Sequence, residues 1–273
     1  MLLFIMALGL SIIFGLMGVL NLAHGSFYLL GAYIGLTIWR LTGSFWIGLL
    51  ISPLVVGLIG ILFEKTFLLR FYRRTHLDQV ILTFGFMYVF VDIGKFFWGV
   101  EIHGLPVPAL LKGSISIFET QFPIYRFFVI GIGVMLFLFT WLFIGRTKLG
   151  ALIRAAVSDR DMVMGLGYNI GLIYSIMFAA GVFLAGFGGV LGAPITGVHI
   201  GLAEEILIIT LIVVVVGGLG NIYGVFWASL LIGISETFGK ALFPDFSIFL
   251  IFTLMAIVLV IRSMSKEVRE ELQ

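Results

Sequence analysis

Three short stretches carry the groups in this sequence that could do chemistry, and each interrupts apolar surroundings. The first is Asn21-Leu-Ala-His-Gly-Ser26. It falls where a hydrophobic helix would sit at membrane depth. Polar backbone is tolerated there only inside protein or beside a water-filled path. Asn21 and Ser26 are good N-cap types, so a short helix is expected to start here and run through Phe27–Trp39. The N-terminus of such a half-helix carries partial positive charge and free N–H groups, which suit a carboxylate or carbonyl oxygen. The competing reading is a tight interhelical turn around a hydrogen-bonded His24. The second stretch, Gly217-Gly-Leu-Gly-Asn-Ile-Tyr-Gly224, follows the β-branched run Ile206–Val216 and reads as a second broken helix. Gly18-Val-Leu-Asn21 … Gly25-Ser-Phe-Tyr28 has a counterpart in Gly220-Asn221 … Gly224-Val-Phe-Trp227. Paired interruptions in two halves of a chain point to a transport site; the abundance of glycine and aromatics leaves coincidence as the alternative. The third stretch is Gly145–Asn169, charged and too long for a minimal turn. Asp159 and Asp161 precede Met162-Val-Met-Gly-Leu, a surface helix of one to two turns on which a soluble partner could dock. Its other reading is a solvated, positively charged loop.

Other polar groups read as structural. Gly181, Ala185, Gly189 and Ala193 recur every four residues, the spacing that lets helices approach closely. Asp92 and Lys95 are placed for an intrahelical pair. Glu64 is expected to cap or pair locally. Glu204 and Glu205 begin an apolar run, where a helix N-terminus favours acids. His76, His103 and His199 carry no pattern.

Composition sets the class. Hydrophobic residues make up 61% of the 273 and charged residues 11%, less than half of the roughly 25% typical of soluble domains. So few ionic groups cannot cover a soluble surface, and the chain reads as a polytopic all-α membrane protein. The absence of cysteine excludes disulfides, thiol nucleophiles and Cys-type metal sites. A net charge of +2 gives no reason to expect nucleic acid. Gly94-Lys95 and Gly239-Lys240 lack the preceding glycine loop of a phosphate-binding motif, and there is no HExxH, GxSxG or acidic metal cluster. The expectation is a non-enzyme with no metal and no cofactor.

Runs that reach or approach a bilayer span are Met1–Leu20, Phe45–Phe63, Val80–Trp98, Tyr125–Ile144, Leu172–Ala193 and Phe246–Ile261. Phe27–Trp39 is too short to cross upright, and Ile206–Phe238 holds two short helices around its glycine break. The bundle therefore has about eight membrane segments, two of them interrupted or re-entrant, in a single domain over residues 1–273. Met1 opens an apolar run with neither the basic flank nor the cleavage site of a signal peptide, and the reading favours a natural start further upstream. Lys65, Arg70, Arg73 and Arg74 cluster in one loop, Arg146, Lys148, Arg154 and Arg160 in another, and Arg262, Lys266 and Arg269 in the tail. By the positive-inside rule, loops 64–78 and 145–170 and the tail 262–273 are cytoplasmic. Loop 99–123, with Lys112 beside Glu101 and Glu119, and the turns near 194–203 and 239–245 are exterior.

Gly15-Leu-Met-Gly-Val-Leu-Asn-Leu-Ala-His-Gly-Ser-Phe-Tyr-Leu-Leu-Gly-Ala-Tyr33 closely resembles the N-terminal signature of the permease subunits of branched-chain amino-acid ABC transporters. The stretch from Gly145 to Ile170 resembles the family's cytoplasmic loop, and Val216–Gly224 its glycine turn. Glu64 with Arg73-Arg74 and Leu82-Thr-Phe-Gly85 resembles a further block. The likeness runs nearly the whole chain and is greatest to the first of the two permease types. It implies an inner-membrane importer subunit that works with a second related permease, two cytoplasmic ATPase subunits and a periplasmic or lipid-anchored binding protein. It implies that Asn21, His24, Gly25, Ser26, Gly217, Gly218, Gly220 and Asn221 line or shape the pathway. It assigns Arg154, Ala155, Asp159, Asp161 and Gly165 to the segment that couples to the ATPases. Many members carry Glu after Ala-His-Gly; Ser26 here removes an acid from that region. Related permeases carry urea or short amides. An ion-coupled secondary transporter is the alternative from another class, with Asp92 and Glu236 as its intramembrane acids. A structural or channel-like subunit is the third.

Overall fold

The structure is a computed structural model. It describes the backbone of residues 1–270 apart from Arg73, Phe118, Glu119 and Phe243, and side chains through residue 261 apart from Leu16, Ile117, Asp245, Ser247 and Ile248. Arg73, Glu119 and the side chains of Arg262, Lys266 and Arg269, all used in the charge argument, lie outside the described residues.

Among the described residues eleven α-helices follow one another: α1 (Leu2–Met17), α2 (His24–Thr42), α3 (Phe45–Thr66), α4 (His76–Trp98), α5 (Ile124–Arg146), α6 (Lys148–Ser158), α7 (Arg160–Gly165), α8 (Ile170–Thr196), α9 (Leu202–Gly217), α10 (Ile222–Leu242) and α11 (Ser247–Glu270). Five of them, α3, α4, α5, α8 and α10, are long and apolar enough to cross a membrane. Loop 99–123 carries an antiparallel hairpin, β1 (Ser114–Ile117) with β2 (Thr120–Pro123), that the sequence reading did not anticipate. The expected eight segments counted Ile206–Phe238 once. Its glycines split it into α9 and α10, so nine helices of sixteen residues or more are present among the described residues.

Helix ends depart from the apolar runs in ways capping explains. Helix α4 begins four residues before Val80 because Thr75 and Asp78 form a reciprocal capping box, with both bonds at 3.3 Å. Helix α2 extends past Phe27–Trp39 at both ends and spans 19 residues, about 28 Å at helical rise.

The core lies where α8 packs against α1, α2 and α3 through small residues. A Cβ on Gly9 would sit 2.5 Å from the Gly181 carbonyl oxygen, so these backbones touch only because neither residue has a side chain. Ala185 and Ala193 are buried on the same stripe, and Gly186 packs against Gly31. The Ser52 hydroxyl of α3 donates to the Gly31 carbonyl at 2.7 Å.

The loops meet at opposite ends of the bundle. At one end, His103 pairs with Val198 through two backbone bonds of 2.9 and 2.8 Å, and Arg40 lies 3.2 Å from the His103 ring. At the other, basic end, loop 67–75 and the α6–α7 segment both touch the start of α8: Tyr72 packs edge-on against Tyr174, and Arg160 sits over the Tyr174 ring. Asp92 and Lys95 form the intrahelical pair, 2.7 Å apart.

Candidate functional site

The first interruption is an unwound segment supported by a neighbouring helix. Helix α1 stops at Gly18, whose φ of 65° closes it with a left-handed residue. The chain then folds back instead of turning outward. His24, at the start of α2, reaches the middle of α1, where its Nε2 donates to the Met6 carbonyl at 3.1 Å. Between them, the Leu22 N–H donates to Thr83 Oγ1 of α4 at 3.2 Å, and the same hydroxyl lies 3.2 Å from the Leu20 carbonyl. One threonine thus serves unwound backbone that a helix would otherwise satisfy. Thr83 falls in the Leu82-Thr-Phe-Gly85 block of the resemblance, but its role was not read from sequence. Only its distance to 18–22 in the fold reveals it.

The capping expectation is corrected here. Neither Asn21 nor Ser26 caps α2. Ala23 occupies the N-cap without a side-chain bond, and Ser26, inside the first turn, donates back to the Ala23 carbonyl at 2.7 Å. Asn21 sits three residues before the helix, too early for its side chain to reach the free N–H groups. Its carbonyl accepts from His24 N at 3.2 Å, and both of its side-chain amide atoms are buried without a partner. Gly25 packs its backbone against the Ala203 carbonyl at the start of α9.

The second interruption is built differently. Gly218 and Gly220 hold φ of 93° and 76°, and Asn221 does cap the next helix, accepting from Gly224 N at 3.1 Å. The second interruption touches the last turn of α1, just before the first. A Cβ on Gly15 would lie 2.6 Å from Gly220 Cα, and one on Gly220 would lie 2.8 Å from Gly15 Cα. Beside this contact opens a cleft of about 250 Å³ lined by Ser11, Gly15, Arg154, Val157, Met177 and Gly220, among others. It joins the α9–α10 break and the end of α1 to α6. Ser11 Oγ in this cleft is buried and unpartnered. Asn21, His24, Gly25 and Ser26 do not line the cleft; they are buried in the packed interior further along α1.

The α6–α7 segment forms two short capped helices. Thr147 Oγ1 accepts from Gly150 N and Asp159 Oδ1 from Met162 N, each at 2.9 Å. Arg154, Ala155, Asp159, Asp161 and Gly165 are exposed. Ala156 and Val163 turn inward and join Ile170, Tyr174 and Met177 in an apolar cluster separate from the main core. Met162, Met164 and Leu166 face outward beside the two acids.

Glu64 finds a local partner and a remote one: it is fully buried in the last turn of α3, and its carboxylate accepts from Tyr72 of the following loop at 2.6 Å and, beyond what was expected, from Ser175 of α8 at 2.7 Å. Burial, then the hydrogen bond and charge of Glu64, push the Tyr72 phenol far above its usual range, so it stays a proton donor. Glu205, in the first turn of α9, pairs with His199 at 3.3 Å, and Glu236 pairs with Lys240 at 2.6 Å.

Similar proteins match over most of the chain. The permease protein BraD of the high-affinity branched-chain amino acid transport system of Pseudomonas aeruginosa is 29% identical over 94% of this chain and 89% of its own. The corresponding LivH of Escherichia coli K12 is 23% identical over 94% and 88%. LivM of the same organism, also a permease protein of that system, is 27% identical over 94% of this chain and 66% of its own length. No solved structure matches. The family model described as the permease component of branched-chain amino acid transport systems matches residues 1–259, and this multi-pass helical chain belongs to that family.

Proposed function

We propose that this chain is one of two permease subunits in an ATP-driven importer of branched-chain or other hydrophobic amino acids in the cell inner membrane. Residues 1–273 act as one transmembrane domain. The second permease is a related chain, two cytoplasmic ATPase subunits drive the cycle, and a periplasmic or lipid-anchored protein delivers the substrate. Loops 64–78 and 145–170 and the tail 262–273 face the cytoplasm. Arg154, Ala155, Asp159, Asp161 and Gly165 form the surface that the ATPase grips. Asn21, His24, Gly25, Ser26, Gly217, Gly218, Gly220 and Asn221 shape the pathway region through the two interruptions. ATP binding moves α6 and α7, and the membrane helices respond by exposing the pathway to each side in turn. Such a shift requires contacts that differ between the two states.

The family match over residues 1–259 carries this reading. The position of α6 against the end of α1 and the α9–α10 break supports its mechanical part, because a push there reaches the second interruption directly and the first through α1. The test is labelled leucine uptake into vesicles holding this chain with the second permease, the ATPases and the receptor. Uptake is expected only with all components and ATP. Gradient-driven uptake by this chain alone would replace the reading with a secondary transporter. Uptake of urea or a short amide in place of leucine would replace its substrate.

A further inference from the structure

Glu64 is the one fully buried acid among the described residues, and nothing in the proposed pathway or docking surface uses it. Burying a carboxylate costs several kcal/mol unless hydrogen bonds repay it. Here two hydroxyls do so, at 2.6 Å from Tyr72 and 2.7 Å from Ser175, lengths typical of charge-assisted bonds. Ser175 is 111 residues away in sequence. The carboxylate therefore fastens three separate pieces: the end of α3, the loop 67–75 and the second turn of α8.

The same pieces form the seat of the α6–α7 segment. The Tyr72 ring meets the Tyr174 ring edge-on at 5.8 Å, and the Arg160 guanidinium of α7 lies 5.4 Å from the centre of the Tyr174 ring. Tyr72 also borders the apolar cluster into which Ala156 of α6 and Val163 of α7 insert. Gln79 of α4 adds a bond to this loop, donating to the Phe71 carbonyl at 2.9 Å. A chain of contacts thus runs from α7 through Tyr174 and Tyr72 to Glu64 and α3.

We infer that Glu64 is a positioning residue for coupling: by holding the Tyr72 and Ser175 hydroxyls it locks α3, loop 67–75 and α8 into one body, so that displacement of α6 and α7 moves the membrane helices and is not absorbed by the loop. Without the lock, the ATPases still bind and still hydrolyse, but less of the motion reaches the pathway. The inference rests on the proposed ATP-driven import.

The test measures ATP hydrolysed per leucine imported in the complete assembly in vesicles. Tyr72→Phe keeps the ring against Tyr174 and removes only the hydroxyl; Ser175→Ala removes the other donor; Glu64→Gln removes the charge. Each is expected to co-purify with the ATPases as the unaltered chain does and to raise the ratio about fivefold or more, the lower end of a typical coupling energy. Ser175→Thr, which keeps a hydroxyl, is expected to restore it. Tyr72→Phe and Ser175→Ala at the unaltered ratio overturn the inference while leaving the import reading intact. A raised ratio that comes with lost co-purification also overturns it, because Glu64 is then only part of the fold. If the unaltered assembly imports nothing with ATP, the functional reading falls and the inference falls with it.

Discussion

The contact between the end of α1 and the α9–α10 break predicts an unequal pair of glycine substitutions. Gly15 lies in α1 with helical backbone, and Gly220 holds φ at 76°. Alanine at either position drives its Cβ into the other's Cα, at 2.6 Å from Gly15 and 2.8 Å from Gly220. Overpacking of this kind costs about 1–3 kcal/mol. At Gly15 part of it is returned, since alanine is favoured over glycine within a helix by roughly 0.5–1 kcal/mol. At Gly220 there is no such return, and a side chain in the left-handed region adds about 1–2 kcal/mol. Gly220→Ala should therefore destabilise by about 2–5 kcal/mol and Gly15→Ala by about 0–2.5 kcal/mol. Gly131, in α5 with open space where its Cβ would be, supplies the control: Gly131→Ala should be neutral or slightly stabilising. The assay is unfolding of the purified chain in detergent, followed by helix signal against denaturant. The ranking Gly220→Ala, Gly15→Ala, Gly131→Ala from most to least destabilising is the expected result. Equal midpoints for Gly220→Ala and Gly131→Ala would mean that Gly220 neither touches the end of α1 nor needs its left-handed backbone, and the cleft beside it would lose its meaning.

Thr83→Val removes the hydroxyl that serves Leu22 and Leu20; a buried N–H left unpaired costs about 1–3 kcal/mol, and amide exchange at Leu22 should accelerate while exchange along α8 stays unchanged. Asp161→Lys reverses an exposed charge that caps nothing, so ATPase co-purification should fall with thermal stability preserved; Asp159→Lys also removes the cap of Met162 N and should lower both. His24→Ala deletes a buried side chain that bonds the Met6 carbonyl, and uptake should fall more than assembly does; equal losses would make His24 a packing residue alone.

Much of the architecture could be read from the order of residues because it follows from local physics. Apolar runs gave the long helices, and Gly217–Asn221 marked the α9–α10 break where left-handed glycines close one helix and Asn221 opens the next. Asp159 before Met162 announced α7 in the same way. Reading failed where the partner is remote in sequence. Asn21 has the type of a cap but lies in backbone supported by Thr83, 61 residues from the Leu22 N–H it serves. Glu64 has the type of a local pairing group, yet one of its donors is Ser175. The hairpin in loop 99–123 escaped because Ser114–Ile117 and Thr120–Pro123 are short and lie in a loop judged by charge alone. Of the residues singled out for function, Arg154 and Gly220 share a cleft. The Asn21–Ser26 group is joined to them along the length of α1 and not by direct contact.

That arrangement bears on how force can pass through the protein. The apolar cluster under α6 and α7 is built partly from Ile170, Tyr174 and Met177 of α8, and Ile12, Met17 and Tyr72 pack against both it and the main core. On the proposed import reading, displacement of α6 and α7 reaches the bundle only as far as stiff contacts link them to it. Two links are present. One is steric: α6 lines the cleft whose opposite walls are Gly15 and Gly220, so inward movement presses on backbone that cannot yield by rotating a side chain. The other is the Glu64 lock, which keeps loop 67–75 from taking up the movement. The steric link acts on the end of α1 and the α9–α10 break and the polar link on the frame around them, so on the proposed import reading each contributes to turning a displacement at the surface into a relative movement of α1 against α3 and α8. Combining Tyr72→Phe with Gly15→Ala separates the two: independent links give additive losses of uptake, whereas a shared path gives a combined loss close to the larger single one.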